Sequence, residues 1–121
     1  MTTKEVGAGL VALVRRGEFE EAVTKFYSPK IVSVEAGGPQ PEARGIEAVQ
    51  AKGEWWDQNF EVHEVTASDP YVNGDQFAVL MRLDVTEKAN GKRYPIEEVA
   101  VYTVADGKIV HERFFYDGEA A

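Results

Sequence analysis

Two glutamates in the second half of the chain, Glu98 and Glu112, stand in segments that alternate apolar and polar residues as β-strands do. A carboxyl group among apolar side chains has a raised pKa, which suits a general acid or base near neutral pH. These two glutamates, with His63 as a third candidate, are therefore the predicted catalytic residues. The alternative is a structural role, in which the glutamates form salt bridges with a nearby arginine: Arg44, Arg82 or Arg113.

The elements that must position these residues can be read from periodicity and turn signals. Helical spacing predicts helices over 3–16, 18–27 and 46–59, and Gly53 in the third suggests close packing against a sheet. A short strand is predicted over 30–35, followed by four β runs over 60–72, 76–88, 94–105 and 108–117. Helices first and an antiparallel meander afterwards indicate an α+β fold, with three helices packed on one face of a mostly antiparallel sheet.

The turns predict which side chains share a face. A two-residue loop at Asn90-Gly91 places Leu83 opposite Glu98, and a three-residue loop over 105–107 places Ala100 opposite Glu112. The shared, more apolar face should meet the helices and carries Phe77, Val79, Met81, Leu83, Ile96, Glu98, Ala100, Tyr102, Val110, Glu112, Phe114 and Tyr116. A strictly two-residue loop at Asp106-Gly107 would move Glu112 to the other face.

The opposite face of the sheet is too apolar to be left in solvent. It is predicted to carry Leu80, Arg82, Val99, Val101, Ile109, Arg113 and Phe115. A covered second face on an antiparallel sheet suggests a two-fold homodimer. His63 is predicted to point outward near Asp84, with Glu64 and Thr66 inward, and a single bulge would reverse this.

Composition excludes several kinds of partner and site. The 121 residues include 21 acidic and 13 basic side chains, a net charge of −8 that argues against nucleic acid and anionic membranes. No cysteine is present, which excludes disulfides and thiolate chemistry and fits a cytoplasmic protein. The N-terminal segment lacks signal-peptide features, and no apolar run is long enough to span a bilayer. The two histidines share no face, so no metal site is expected, and no cofactor-binding motif is found.

Several pieces of the sequence, in order, resemble a SnoaL-like member of the nuclear transport factor 2-like superfamily. They are two short helices, a strand ending in VEAGG, the helix start RGIEAV, and a meander closing on DGKIVHERFFYD. The resemblance covers nearly the whole chain, so residues 1–121 are predicted to be a single domain. It implies a strongly curved sheet forming a cone with a pocket, and usually a homodimer packed through the sheets.

The superfamily includes ketosteroid isomerase, polyketide cyclases, epoxide hydrolases, dehydratases and non-catalytic binding proteins, so the fold alone does not give the function. The isomerase base would fall on Ala36, with Glu35 next to it pointing the other way. The isomerase tyrosine would fall on Leu10 and its oxyanion-hole aspartate near Ala100 or Val99. Steroid isomerase chemistry is therefore not expected.

Three functions remain open. The first is binding of a small, largely apolar or aromatic molecule in the cone, against side chains that would otherwise be ordinary core: Tyr27, Trp56, Phe60, Met81, Tyr102, Phe114 and Tyr116. The second is a lyase, isomerase or cyclase that uses Glu98 or Glu112 as acid or base, with His63 beside Tyr27 or Tyr116 as a further candidate that loosely resembles the dehydratase site. The third is a non-catalytic dimeric accessory domain.

Overall fold

The computed structural model describes residues 1–38 and 41–117 of the chain. The helices are α1 (Thr3–Arg15), α2 (Phe19–Phe26) and α3 (Ile46–Asn59). The strands are β1 (Tyr27–Val34), β2 (Glu42–Arg44), β3 (Phe60–Ala67), β4 (Tyr71–Asn73), β5 (Gln76–Glu87), β6 (Arg93–Ala105) and β7 (Lys108–Phe115). The α+β architecture predicted from the sequence is confirmed.

The strands form one open sheet in the order β2-β1-β7-β6-β5-β3, with β4 paired to the end of β5. The pairing of β1 with β7 is parallel, and the other pairings are antiparallel. The helices cover one face, because alternate residues of β5 from Phe77 to Val85 are buried while those between them are more exposed. We call the covered face the concave face and the opposite one the convex face.

Helix α1 provides much of the core beneath the sheet. A capping box begins it, in which the Thr2 hydroxyl accepts from the Glu5 N–H and the Glu5 carboxylate accepts from the Thr2 N–H. Gly17, with φ of 73°, follows the end of the helix. Gly9 lets α1 approach α2 closely, since a Cβ there would lie 2.4 Å from Cζ of Phe26. Gly53 of α3 has no such role, and the predicted close packing there is wrong: apart from the surrounding backbone of α3 and its chain neighbours, no atom of the described residues lies within 4 Å of its Cβ position.

The turn between β5 and β6 differs from the predicted two-residue loop. The Glu87 N–H donates to the Lys92 carbonyl at 2.8 Å, which leaves a four-residue loop over 88–91. Met81, rather than Leu83, therefore lies opposite Glu98. Because the register moved by two residues, every side chain of β6 keeps its predicted face.

The turn between β6 and β7 contains two residues, Asp106 and Gly107, with φ of 51° and 73°. That loop alone would turn Glu112 outward, but a β-bulge leaves Val110 unpaired and restores the alternation. Glu112 therefore stays on the concave face, opposite Tyr102 instead of Ala100. Between this turn and the bulge the facing is the reverse of the predicted one: Ile109 is fully buried in the core, and Val110 is not.

The predicted strand over 60–72 is two strands, β3 and β4, separated by residues 68–70. A bulge at His63 shifts the pairing of β3 with β5, from Val62 opposite Val85 to Glu64 opposite Asp84. Glu64 is consequently exposed, and so is Thr66, so the prediction that both point inward is wrong. Val62 and Val65 pack against the core instead.

Candidate functional site: a polar cluster on the concave face

Glu112 is the deepest charged side chain of the sheet, with 2% of its surface exposed. It lies beside Ser33, which the parallel pairing of β1 and β7 places next to it and which is fully buried. The Tyr27 hydroxyl donates to Glu112 Oε1. Burial raises the pKa of Glu112, and hydrogen bonds from Ser33 and Tyr27 oppose that rise. Glu112 is therefore a buried core residue, and burial favours its neutral form.

The side chain of Lys52 extends from α3 to the end of β1. Its Nζ lies 2.6 Å from Ser33 Oγ and 2.7 Å from Glu35 Oε1. The other Glu35 oxygen, Oε2, accepts from the Tyr116 hydroxyl at 2.9 Å. These contacts join β1, α3 and the segment after β7 in one hydrogen-bonded group.

The sequence analysis did not identify Lys52 or Ser33 as site residues. It also predicted that Glu35 points outward, which is wrong. Glu35 lies just beyond the last residue of β1, where strand alternation no longer sets the side-chain direction. A signal for Lys52 was present, since it follows the buried Val49 by three residues and precedes the half-buried Trp56 by four. That spacing places Lys52 on the sheet-facing side of α3.

Glu98 differs from the other two glutamates because nothing in the described part of the chain pairs with it. It is partly buried, yet its carboxyl group makes no hydrogen bond or salt bridge to residues 1–38 or 41–117. No buried side-chain oxygen or nitrogen in these ranges lacks a partner, so the Glu98 oxygens reach solvent. Burial, followed by the charges of Glu35 and Glu112, raises the pKa of Glu98 to about 7, against a smaller opposing effect of Lys52.

Tyrosines surround the glutamates. Tyr102 is buried, stacks on Phe77 with ring centroids 4.8 Å apart, and lies opposite Glu112. Burial raises the pKa of Tyr27 and Tyr102 far above the usual range, so both remain hydroxyl donors at ordinary pH. Burial also raises the pKa of Tyr116, helped by its hydrogen bond to Glu35.

The other predicted site residues lie in different surroundings. Met81 is buried opposite Glu98, and Phe114 is half-buried with its ring centroid 5.2 Å from Lys52 Nζ. Trp56 and Phe60 stack at 4.1 Å and pack against the core. His63 is exposed at the bulge of β3, where Nε2 lies 2.7 Å from Thr86 Oγ1, and it is not brought together with the glutamates.

The predicted salt bridges of these glutamates are not formed. Arg44 pairs with Glu42, and Arg82 pairs with Glu97. Arg113 lies over the ring of Phe115, 5.2 Å from its centroid. None of the three arginines contacts Glu98 or Glu112 in the described ranges, so the structural alternative for the glutamates is wrong in that form.

Two surface depressions flank the turn between α1 and α2. The larger, of about 550 Å³, is lined by acidic residues such as Glu18 and Asp57, and the smaller, of about 390 Å³, includes Arg15 and His63. Glu98 and Glu112 line neither of them. The described residues contain no group of three or more histidine and carboxylate side chains placed to hold a metal ion.

The order of the elements and the position of the cluster can be compared with known proteins. A family model described as SnoaL-like domain matches residues 1–116. The chain belongs to the SnoaL-like family. No curated protein matches this SnoaL-like chain. None of its described helices is both long enough and apolar enough to cross a membrane.

Solved structures agree with this assignment. A provisionally named SnoaL-like polyketide cyclase from Mesorhizobium loti is 44% identical with a TM-score of 0.92, over 96% of this chain and 100% of that one. An NTF2-like protein from Burkholderia thailandensis is 23% identical with a TM-score of 0.83, over 98% and 93%. A provisionally named polyketide cyclase from Jannaschia is 20% identical with a TM-score of 0.79, over 96% and 88%. The last two show the fold alone.

Proposed function

We propose that this SnoaL-like protein is an acid–base enzyme of the isomerase, cyclase or lyase type. It binds a small, largely apolar or aromatic molecule beside Glu98 on the concave face. The observation that carries the proposal is the state of Glu98: half-buried, unpaired within the described ranges, in contact with solvent, and with a pKa of about 7. A carboxyl group with these properties can both accept and release a proton near neutral pH.

The surroundings of Glu98 fit a ligand with an apolar body. Met81 lies directly opposite it, and Ile96 and Ala100 are its neighbours on the same face of β6. Phe114, near the end of β7, and Tyr116, just after that strand, are half-buried. The Mesorhizobium loti relative is named as a polyketide cyclase. That name is compatible with the proposed chemistry, since ring closure on carbonyl compounds requires acid–base catalysis.

Proton exchange tests the proposal directly. Indanone, a small aromatic ketone, is incubated with the protein in heavy water, and loss of the signal of the protons next to the carbonyl is followed by proton NMR. We expect exchange to accelerate as the pH rises through about 7, because Glu98 must be ionised to accept a proton. Glu98→Gln should slow it by roughly a hundredfold or more.

Glu97 provides the matched control for this experiment. It is the next residue along β6, exposed on the other face and paired with Arg82. Glu97→Gln should leave the exchange rate unchanged. Exchange that is equally fast in Glu98→Gln and the parent protein would overturn the proposal. Binding of indanone without exchange in either protein would support a non-catalytic binding function instead.

We also propose that the convex face of the sheet mediates a homodimer. Val99 and Phe115 are apolar residues exposed there, with 37% and 48% of their surfaces accessible. Arg82, Glu97 and Arg113 lie on the same face, so the surface carries charges of both signs that a two-fold contact can pair. Sedimentation or light scattering should give a dimer, and Phe115→Lys should give a monomer. Trp55→Lys, at a similarly exposed aromatic residue on α3, should remain dimeric; a monomeric parent protein would contradict the proposal.

A further inference from the structure

Lys52 is the cation of the polar cluster that the described residues Tyr27, Ser33, Glu35, Glu112 and Tyr116 form with it on the concave face. Its ammonium group does not use all of its donors. The group has three N–H donors. Two of them are directed to Ser33 Oγ and Glu35 Oε1. The third meets no acceptor in the described ranges, although the ring of Phe114 lies 5.2 Å from Nζ. A charged donor therefore remains available on the same face as Glu98: the Lys52 charge acts on the Glu98 carboxyl group, and Phe114 pairs with Ala100, the next residue after Glu98 on that face of β6.

The Lys52 ammonium is held firmly by its partners. Glu35 is itself fixed by the Tyr116 hydroxyl, and Ser33 is fully buried beside Glu112. The side chain of Lys52 is 29% exposed, which leaves room for contact from the open side. A donor fixed before reaction stabilises developing charge without reorganising, which is the property an oxyanion site needs.

We propose that Lys52 is the oxyanion donor of this site and that the substrates are neutral carbonyl compounds with an acidic C–H next to the carbonyl group. The inference rests on the proposed role of Glu98 as the base. In the step, the substrate C–H bond breaks and the proton forms an O–H bond on Glu98. The electron pair moves onto the carbonyl oxygen, which accepts a hydrogen bond from Lys52.

The charges of the cluster agree with this substrate class. Burial favours the neutral form of Glu112, and Glu35 is paired with Lys52. The proton transfer then moves one negative charge from Glu98 to the substrate oxygen and leaves the total charge unchanged. While Glu98 is ionised, Glu98 and Glu35 repel an anionic substrate but not a neutral carbonyl compound. Once Glu98 has taken the proton its repulsion ends, and the enolate oxygen can remain beside Lys52.

The test uses a mimic of the enolate rather than a substrate. Para-nitrophenolate presents a charged oxygen on an aromatic ring, and para-nitroanisole is its neutral methyl ether. Affinities are measured by calorimetry just below pH 7, where most of Glu98 is protonated, as it is once the enolate has formed. The yellow absorbance of the phenolate shows whether the bound form is ionised. The parent protein should bind the phenolate at least about tenfold more tightly than the anisole, the expected effect of one charged hydrogen bond.

Two variants of Lys52 examine the donor. Lys52→Met should lose the preference for the phenolate. Lys52→Gln removes the charge but keeps an amide that can donate to Ser33 or Glu35, so it should fold even if Lys52→Met does not, and its preference should be much reduced. Lys30→Met, at an exposed lysine of β1 with no described side-chain partner, should behave as the parent protein.

The outcomes separate this inference from the proposed function. A phenolate preference retained in Lys52→Gln, or no preference in the parent protein, would overturn the role of Lys52. A preference that depends on Lys52, found together with indanone exchange that does not depend on Glu98, would leave Lys52 as an oxyanion site and refute Glu98 as the base.

Discussion

Replacing Glu98 by glutamine should stabilise the protein at alkaline pH. The ionised form of Glu98 is disfavoured in the folded state by burial and by the nearby carboxylates of Glu35 and Glu112. Between the ordinary pKa of 4.5 and the folded value of about 7, the folded protein retains a proton that the unfolded chain has lost. Stability therefore falls as the pH rises through this window, and the loss is complete above about pH 7.

The size of the effect follows from the two pKa values of Glu98. Each unit of pKa corresponds to about 1.4 kcal/mol, so the rise to about 7 corresponds to roughly 3 kcal/mol. Since the carboxyl group retains contact with solvent, screening reduces the expected value to about 1–3 kcal/mol. Glutamine has nearly the shape of a protonated glutamate, so Glu98→Gln should resemble the parent protein near pH 4.5 and exceed its stability by this amount near pH 8.

Urea unfolding followed at a series of pH values measures the difference. The quantity of interest is the free energy of unfolding of Glu98→Gln minus that of the parent protein, which should grow as the pH rises from about 4.5 to 7. Glu97→Gln, which breaks only the exposed pair with Arg82, should show a small difference that does not grow. A Glu98→Gln protein that is equally or less stable than its parent near pH 8 would refute the account of Glu98.

Two further predictions concern stability. Gly53→Ala should raise the free energy of unfolding by about 1 kcal/mol, because a helical glycine gains a Cβ in open space. Gly9→Ala should lower the free energy of unfolding by about 1–3 kcal/mol, because its Cβ would meet the Phe26 ring, and thermal melts that rank the two variants the other way would contradict the packing of α1 on α2. Tyr27→Phe should cost about 1–3 kcal/mol in urea titrations, more at higher pH, since Glu112 loses its hydroxyl donor; no loss would show that the donor is unimportant.

Much of the fold follows from local sequence signals. The helical spacing of Val6, Leu10 and Leu13 predicts α1 and its buried face, because a helix must place an apolar stripe on the core. The alternation in β5 and β6 predicts the concave face, including the inward direction of Glu98. These predictions hold because side-chain direction within an element depends on the chain's own periodicity.

Irregularities in the sheet were beyond this reasoning. Each bulge, at Val110 and at His63, leaves one residue unpaired. The pairing of the whole strands decides which residue this is. Glu112 kept its predicted face only because the bulge at Val110 offset a turn one residue shorter than expected. A correct facing was thus reached through a wrong turn, and Ile109 was misplaced by the same error.

The sequence by itself determined the fold class, the family and the inward position of two glutamates, because these depend on the periodicity and order of residues along the chain. Only the tertiary structure decided how the glutamates differ. The parallel pairing of β1 with β7 brings Ser33 to Glu112, and the packing of α3 brings Lys52 to Glu35. Glu98 is left without a described partner, and its pKa is set by burial and by charges that lie far from it in sequence and near it in space.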